Sequence, residues 1–223
     1  MWTTIQLQYH KWTDASNRWE ACNDYTHSTE WKKNMSDELY TAILWKERKE
    51  VSAIILKHID KEFWNIDMKA CEQHLSELLE KEKDQYLKKM EELTKHPIPY
   101  EQIICYLTTL PRCPYHRQKW LIWMYYKAKD PVRIFLHETL HFQFHWRYSN
   151  NPKVKSLSKN QFDNLKESLT FLLNYEFKEF IEFSDKWYPE HQELRKKLEE
   201  YRVHSNKDFE KLIEYWCDIL LKK

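Results

Sequence analysis

Apolar side chains recur at helical spacing along two long stretches of the first half of the chain. Residues 39–64 and 68–94 place an apolar residue at every third or fourth position, which is the pattern of an amphipathic helix. Ser36 is suited to cap the first of these helices, and the prolines of HPIP end the second. The pattern predicts a helical hairpin, preceded by irregular chain over residues 1–35 with one short strand at Thr4–Tyr9.

The middle of the chain changes to shorter apolar runs. Ile103–Leu110 and Trp120–Tyr126 are rich in β-branched and aromatic residues, and Pro111 and Pro114 lie between them. Such runs, bounded by prolines, are typical of strands. We therefore expect a small antiparallel sheet at this point of the chain.

Helical patterns return after the sheet. Four segments show them: residues 130–147, 160–184, 189–203 and 207–221. The order of elements predicts an α+β, mainly helical fold. We divide the chain into residues 1–97, which hold the hairpin, and residues 98–223, and expect the two parts to form one compact unit.

Charge and cysteine content limit the possible partners. The 36 basic and 35 acidic residues leave a formal net charge of +1, which gives no electrostatic reason to expect nucleic acid or an anionic membrane as partner. No apolar run is long enough to span a bilayer, and the N-terminus lacks the pattern of a secretory signal. The five cysteines form no C-x-x-C pair. Unpatterned cysteines indicate reduced thiols, so we expect a cytoplasmic protein.

Glycine is absent from all 223 residues, whereas tryptophan occurs 11 times. One interpretation is a compositional bias in which asparagine takes the turn positions. The other is that some tryptophans are glycines in the natural protein, misread through a reassigned stop codon. The second hypothesis predicts a positive φ at Trp187, which lies in a turn-like segment, because that conformation is rare for tryptophan.

The main chemical signal is the segment FLHETLHFQFHW, residues 135–146. Residues four apart share one face of a helix, so His137 and His141 can direct their imidazoles at one metal ion. Glu138 is rotated away by about 100° and is suited to take a proton from water at that ion. Two histidine ligands and a general base are the content of the H-E-x-x-H motif of metallopeptidases.

His145 extends the four-residue spacing but is not a suitable third ligand. It lies about 12 Å along the helix axis from His137, too far to share an ion. The metzincin arrangement would place its third histidine where Arg147 stands, and it also requires a glycine. We expect His145 to be a partly buried, hydrogen-bonded residue. A core helix whose histidines bind nothing is the alternative for the whole motif.

A catalytic zinc ion usually has three protein ligands. The next predicted helix offers four carboxylates, Glu167, Glu176, Glu179 and Glu182. Glu179 and Glu182 lie opposite the apolar stripe and should be solvated. Glu167 shares a polar strip with Thr170 and Asn174, which suits a ligand and its supporting hydrogen bonds. Glu167 is the preferred ligand, and Glu176 is the reserve candidate.

HETLH on one helix and Glu167 on the next resemble the gluzincin zinc metallopeptidases, the broad class of thermolysin, over about residues 103–195. The resemblance implies one zinc ion on His137, His141 and Glu167, with Glu138 as general base, and a peptide or protein substrate. It also implies that the substrate lies along an edge strand, for which Trp120–Tyr126 is the candidate. The chain departs from the thermolysin pattern around Glu167, since Lys166 precedes it and Phe171 replaces an aspartate.

The residue that stabilises the transition state is left open. Tyr188, His191 and Arg195 are the candidates, although an ordinary helix start would explain all three equally well. The peptide substrate, the cleavage preference and the oligomeric state do not follow from the sequence.

Two other functions compete with the peptidase. Peptide deformylase also uses H-E-x-x-H, with a cysteine ligand that Cys105 or Cys113 could supply, but its glycine-bearing motifs are missing here. Cys113 and His116 form an isolated C-x-x-H, which we interpret as loop residues. The second alternative is a helical protein-interaction module with a degenerate, non-catalytic site. Metal content distinguishes it from the enzyme.

Overall fold

The computed structural model describes residues 3–24, 31–185, 192–204 and 208–221. These residues form an α+β, mainly helical protein, as predicted. In chain order the elements are β1 (Thr4–Tyr9), α1 (Lys11–Asn23), α2 (Asp37–Ile43), α3 (Arg48–Phe63), α4 (Met68–Glu80), α5 (Lys83–Thr94), β2 (Gln102–Thr108), β3 (Tyr115–His116), β4 (Leu121–Tyr125), α6 (Pro131–Tyr148), α7 (Pro152–Lys155), α8 (Lys159–Leu169), a 3-10 turn (Thr170–Leu172), α9 (Leu173–Glu176), α10 (Gln192–His204) and α11 (Phe209–Leu221). No helix within the described ranges combines the length and apolar character needed to cross a membrane.

The sheet is mixed, not antiparallel as predicted. Its strand order is β1-β2-β4-β3, with β2 parallel to both β1 and β4, and only β3 antiparallel to β4. The reason lies in the connection between β2 and β4. That connection forms β3 along the outer side of β4, so the chain has already reversed once before it enters β4. Strand propensity locates the two strands but does not reveal this extra reversal.

The predicted helical hairpin is replaced by four shorter helices. The first predicted helix is broken at residues 44–47 and the second at residues 81–82. Helix α3 packs mainly against α1 and α2, while α4 packs against β1. The long amphipathic pattern was interpreted correctly as helical, but the partners of its apolar faces lie elsewhere in the chain.

The contacts divide the chain into two compact units. The sheet unit contains Trp2–Glu80 and Tyr100–Pro131, and the helical unit contains Lys81–Pro99 and Val132–Lys223 together with Met1. Both units are therefore assembled from segments that are distant in sequence. The division at residue 97 into two parts of one compact unit stays a prediction.

The sheet unit contains a helix that the sequence pattern did not predict. Helix α1 buries Asp14, Asn17 and Arg18, and Asp14 accepts hydrogen bonds from the hydroxyl groups of Thr108 and Thr109 at the end of β2. The buried residues of this helix also include Ala15, Ala21 and Cys22, but the buried polar residues among them obscure the apolar spacing that marks a helix. Its polar groups are stabilised by one another and by the strand end instead.

The helical unit is organised around the apolar helix α11, which contacts α5, α7, α8 and α10. Its buried side chains are Phe209, Leu212, Ile213, Trp216, Cys217 and Leu220. Helix α6 adds the buried residues Phe135, Leu136, Leu140, Phe142 and Phe144. This apolar packing fixes α6 and α8, the two helices that carry the predicted metal ligands.

Two tryptophans have the left-handed backbone conformation that glycine adopts most easily. Among the described residues, positive φ values occur at Trp45 (58°), Trp120 (52°) and Lys95 (57°). Trp45 follows Leu44 (φ −60°, ψ 127°) in a turn closed by a hydrogen bond from the Lys46 amide to the Ile43 carbonyl, which matches the type II turn. That turn requires a positive φ at its third residue, where glycine is normal.

The second tryptophan with a positive φ, Trp120, also lies in a connection between two elements. Trp120 is the last residue of the loop between β3 and β4, directly before Leu121, which pairs with His116. These conformations favour the hypothesis that some tryptophans stand for glycines. Trp187, for which a positive φ was predicted, lies outside the described residues.

We expect Trp45→Gly to raise the free energy of unfolding by about 1 kcal/mol, because the left-handed conformation costs an L-residue about 1–2 kcal/mol and costs glycine little. The matched control is Trp64→Gly. Trp64 is 81% exposed and has an ordinary helical φ of −59°, so glycine there should lower stability. Urea denaturation of both variants provides the comparison. A loss of stability in both would contradict the hypothesis at Trp45, and the intact mass of natively expressed protein tests it directly.

Candidate metal centre

Helix α6 brings the two motif histidines together. It begins at Pro131. Thr139 and Leu140, the two residues between Glu138 and His141, are fully buried. The Nε2 atoms of His137 and His141 lie 3.0 Å apart. His141 is 1% exposed, whereas the side chain of His137 is 21% exposed. Both imidazoles therefore point to one place, as the spacing of four predicts.

Glu167 reaches the same place from helix α8. Ser158 and Gln161 form a capping box that fixes the start of this helix. At its other end, the Oε1 atom of Glu167 lies 3.3 Å from Nε2 of His141, and its Oε2 atom lies 3.5 Å from Nε2 of His137. The structure thus brings together the three residues that the sequence analysis selected as ligands.

Glu138 is buried beside the histidines. Its side chain is part of a group with His137 and His141 whose possible ligand atoms all lie within 4.8 Å of one another, so this group could hold a metal ion. Burial raises the pKa of Glu138 to about 7, although the charge of His137 opposes this shift. Its Oε2 atom has no hydrogen-bond partner among the described residues. Glu138 is therefore placed to exchange a proton near neutral pH.

Asp185 is a site residue that the sequence analysis did not select. Both of its carboxylate oxygens lie 3.3 Å from Nδ1 of His137. The hydroxyl group of Thr170 donates to Asp185 at 2.8 Å and the Arg133 guanidinium at 2.9 Å. Burial alone would raise the pKa of Asp185, but the charge of His137 and these hydrogen bonds lower it to about 2. The carboxylate is therefore ionised and fixes the orientation of His137.

Asp185 can reach the site because the chain turns back after Glu176. The sequence predicted one helix through residue 184, whereas the helical structure becomes a 3-10 turn at Thr170 and ends at Glu176. The Asn174 side chain accepts a hydrogen bond from the Asp185 amide at 2.6 Å and donates to its carbonyl at 3.3 Å. Thr170 and Asn174, which were expected to support Glu167, thus bind Asp185 with their side chains.

Arg133 precedes His137 by one helical turn, so it lies on the same face of α6. This spacing was a signal for Arg133 that the sequence analysis overlooked. For Asp185 no comparable signal exists, because its position depends on an irregular segment.

The protonation of the two histidines differs. Burial lowers the pKa of His141 to about 3, so its imidazole is neutral. Burial also acts to lower the pKa of His137, but the charge of Asp185 and the hydrogen bonds to Asp185 and Glu167 outweigh it and hold the pKa well above the ordinary value. A charged His137 can donate from Nδ1 to Asp185 and from Nε2 to the neutral His141. The proton on Nε2 occupies the direction in which a metal ion would bind.

The remaining carboxylate and cysteine candidates lie elsewhere. Glu176, the reserve ligand, forms an ion pair with Arg202, so it is not the nearer carboxylate. Glu179 is exposed and pairs with Lys89, and Glu182 is also exposed. Neither Cys105 nor Cys113 belongs to the metal-capable group found in the described part of the chain.

The other predicted site residues have mixed outcomes. Arg195 donates a hydrogen bond to the Asp185 carbonyl at 3.0 Å and lies 3.3 Å from Glu199. Tyr188 and His191 lie outside the described residues. His145 is half-buried with its ring 5.1 Å from that of Phe162.

The predicted substrate strand is only partly an edge strand. Strand β4 lies between β2 and β3, and β3 pairs with Leu121 and Ile122. Beyond these residues the pairing with β3 stops. The role of this strand in substrate binding stays a prediction.

The donor set fits a divalent metal ion. The imidazole nitrogens of His137 and His141 and the ionised carboxylate of Glu167 converge at one place. Burial alone would not stabilise such a cluster of polar groups. Burial acts to raise the pKa of Glu167, but the adjacent imidazoles of His141 and His137 and the Lys166 ammonium lower it below its ordinary range.

No protein-family model matches the sequence, and neither a curated protein nor a solved structure matches it. The residues of the site are therefore the basis for inferring the function.

Proposed function

We propose that the protein is a zinc metallopeptidase of the gluzincin type with a zincin-like fold. His137, His141 and Glu167 hold one zinc ion per chain, and Glu138 is the general base. The observation that carries the proposal is the approach of Glu167 to within 3.5 Å of both imidazoles, from a helix 26 residues further along the chain. We expect a peptide or protein substrate and a cytoplasmic location, with neither nucleic acid nor membrane as partner.

When bound, zinc would supply a Lewis acid and acidify a water molecule at this site. Glu138 would accept a proton from water at Oε2, a buried atom that has no hydrogen-bond partner among the described residues. The water oxygen would bond to the peptide carbonyl carbon, and as the C–N bond breaks Glu138 would return the proton to the departing amine nitrogen. Asp185 accepts from Nδ1 of His137, which leaves Nε2 as the nitrogen that would hold the ion.

Metal analysis of the purified protein, followed by digestion of a peptide mixture, tests the proposal. We expect one zinc ion per chain and peptide fragments whose formation stops on chelation and resumes when zinc is restored. Zinc without hydrolysis would contradict the enzymatic part. Protein purified under metal-replete conditions that holds no zinc would favour the helical interaction module instead.

We expect Asp185→Asn to weaken zinc binding by about 10–100-fold, because the ionised partner of His137 is lost while the ligands remain. A competition titration against a chromophoric chelator measures the change. Asp218→Asn is the control, since Asp218 pairs with Lys153 on the surface of the same unit. Equal zinc affinity in both variants would show that Asp185 does not support the ligand.

A further inference from the structure

Lys166 is a buried cation next to the proposed zinc ligands. Its side chain is 10% exposed, and its Nζ atom lies 2.9 Å from Oε1 of Glu167. Fully charged lysines are rarely buried to this extent unless a partner compensates them. The residue preceding a helical ligand normally points in a different direction, so the contact with Glu167 needs a reason beyond sequence proximity.

The contact distinguishes the two oxygens of Glu167. Each oxygen faces one imidazole, Oε1 at 3.3 Å from Nε2 of His141 and Oε2 at 3.5 Å from Nε2 of His137, but Lys166 contacts Oε1. The electric field of Lys166 also reaches Glu138 and His141, where its positive charge lowers the pKa of each group. Lys166 is thus directed into the site and acts on all three neighbours.

We propose that Lys166 is a positioning residue that keeps Oε1 of Glu167 engaged and so restricts this ligand to one oxygen for a bound divalent ion. A carboxylate without such a partner can bind a metal through both oxygens. The second oxygen would fill a coordination position that water and substrate need, because a catalytic zinc site keeps an open position. This inference rests on the proposed function of the site.

The positive charge has a second consequence. A buried ammonium close to a divalent ion repels it, and the repulsion is strong where water does not screen it. Lys166 should therefore weaken metal binding while it preserves the open position. A purely structural lysine would have the opposite signature, since its loss would loosen the site and reduce affinity.

Cobalt and zinc ions provide the probes, with Lys166→Met as the neutral variant of similar length. We expect Lys166→Met to bind both ions about tenfold more tightly or more, because a repelling charge is removed. Its cobalt form should have weaker visible absorption than the parent, the sign of a higher coordination number, and hydrolysis should slow. Lys166→Arg keeps the charge and the donors, so it should restore the parent spectrum. Lys153→Met, on the surface, should match the parent.

The outcomes distinguish failure of the proposed function from failure of the positioning role of Lys166. If the parent binds no metal, the proposed function fails. If the parent binds and hydrolyses but Lys166→Met has an unchanged spectrum, or a weaker affinity, the positioning role is wrong and the function stands. If Lys166→Met does not fold, Lys166→Gln gives the same comparison of affinity and spectrum.

Discussion

Replacing Glu138 with glutamine is expected to reduce peptide hydrolysis by about a thousandfold while leaving zinc bound. Glutamine has nearly the same shape but cannot accept the proton from water. Helix α6 and the positions of His137 and His141 should not change, because the replaced group has no hydrogen-bond partner at Oε2 among the described residues. Hydrolysis rates and zinc content of the same preparation provide the test.

Glu179→Gln is the matched control for this variant. Glu179 lies in the same unit, is exposed and pairs with Lys89, so its replacement should change neither rate nor zinc content. Hydrolysis by Glu138→Gln within tenfold of the parent would rule out Glu138 as the base. Loss of zinc from Glu138→Gln would instead identify Glu138 as a ligand.

The core of the candidate site was predictable because it depends on local geometry. The placement of His137, Glu138 and His141 follows from the period of one helix. The choice of Glu167 over Glu176 followed from a polar strip on the next predicted helix, and Thr170 and Asn174 of that strip bind Asp185 in the structure. Placing these residues requires only that each of the two segments is helical.

The features that the sequence did not reveal depend on long-range or irregular structure. Asp185 reaches His137 only because the chain reverses after Glu176, and no period of side chains marks such a reversal. Helix α1 was missed because its buried residues include Asp14, Asn17 and Arg18, which obscure its apolar spacing. The parallel pairing of β2 with β4 depends on β3, which the chain forms after β2 and before β4. In each case the deciding interaction joins residues far apart in sequence.

The geometry offers Glu138 as a second possible carboxylate ligand beside Glu167, although the sequence pattern assigns Glu138 to proton transfer. Glu138 belongs to a group with both imidazoles that could hold an ion, and Glu167 contacts both imidazoles from the other helix. Electrostatics favours Glu167 as the ligand. Its pKa is lowered, so it is ionised and suited to bind a cation, whereas burial raises the pKa of Glu138 to about 7, as a proton carrier requires.

Replacing Glu167 with alanine is therefore expected to weaken zinc binding by at least about a hundredfold, the upper end of what loss of an outer supporting group causes. Two imidazoles would remain, and a catalytic zinc site with two protein ligands lacks a third of its protein donors. The loss of hydrolysis should follow from the loss of metal, so excess zinc should partly restore it. Excess zinc should not restore Glu138→Gln, in which the base is missing. This difference assigns each carboxylate its own role.

Glu176→Ala is the control for the ligand. It removes a carboxylate of the same polypeptide segment, but one that pairs with Arg202, so zinc affinity should equal that of the parent. Circular dichroism should show that Glu138→Gln, Glu167→Ala and Glu176→Ala are folded, because a misfolded chain would lose zinc for an unrelated reason. If Glu167→Ala retained zinc as tightly as the parent and Glu176→Ala released it, the ligand would be Glu176 at the end of α9, and the site would need to rearrange around Arg202. If neither variant changed zinc affinity, Glu138 would be the third ligand and a different group would have to serve as the base.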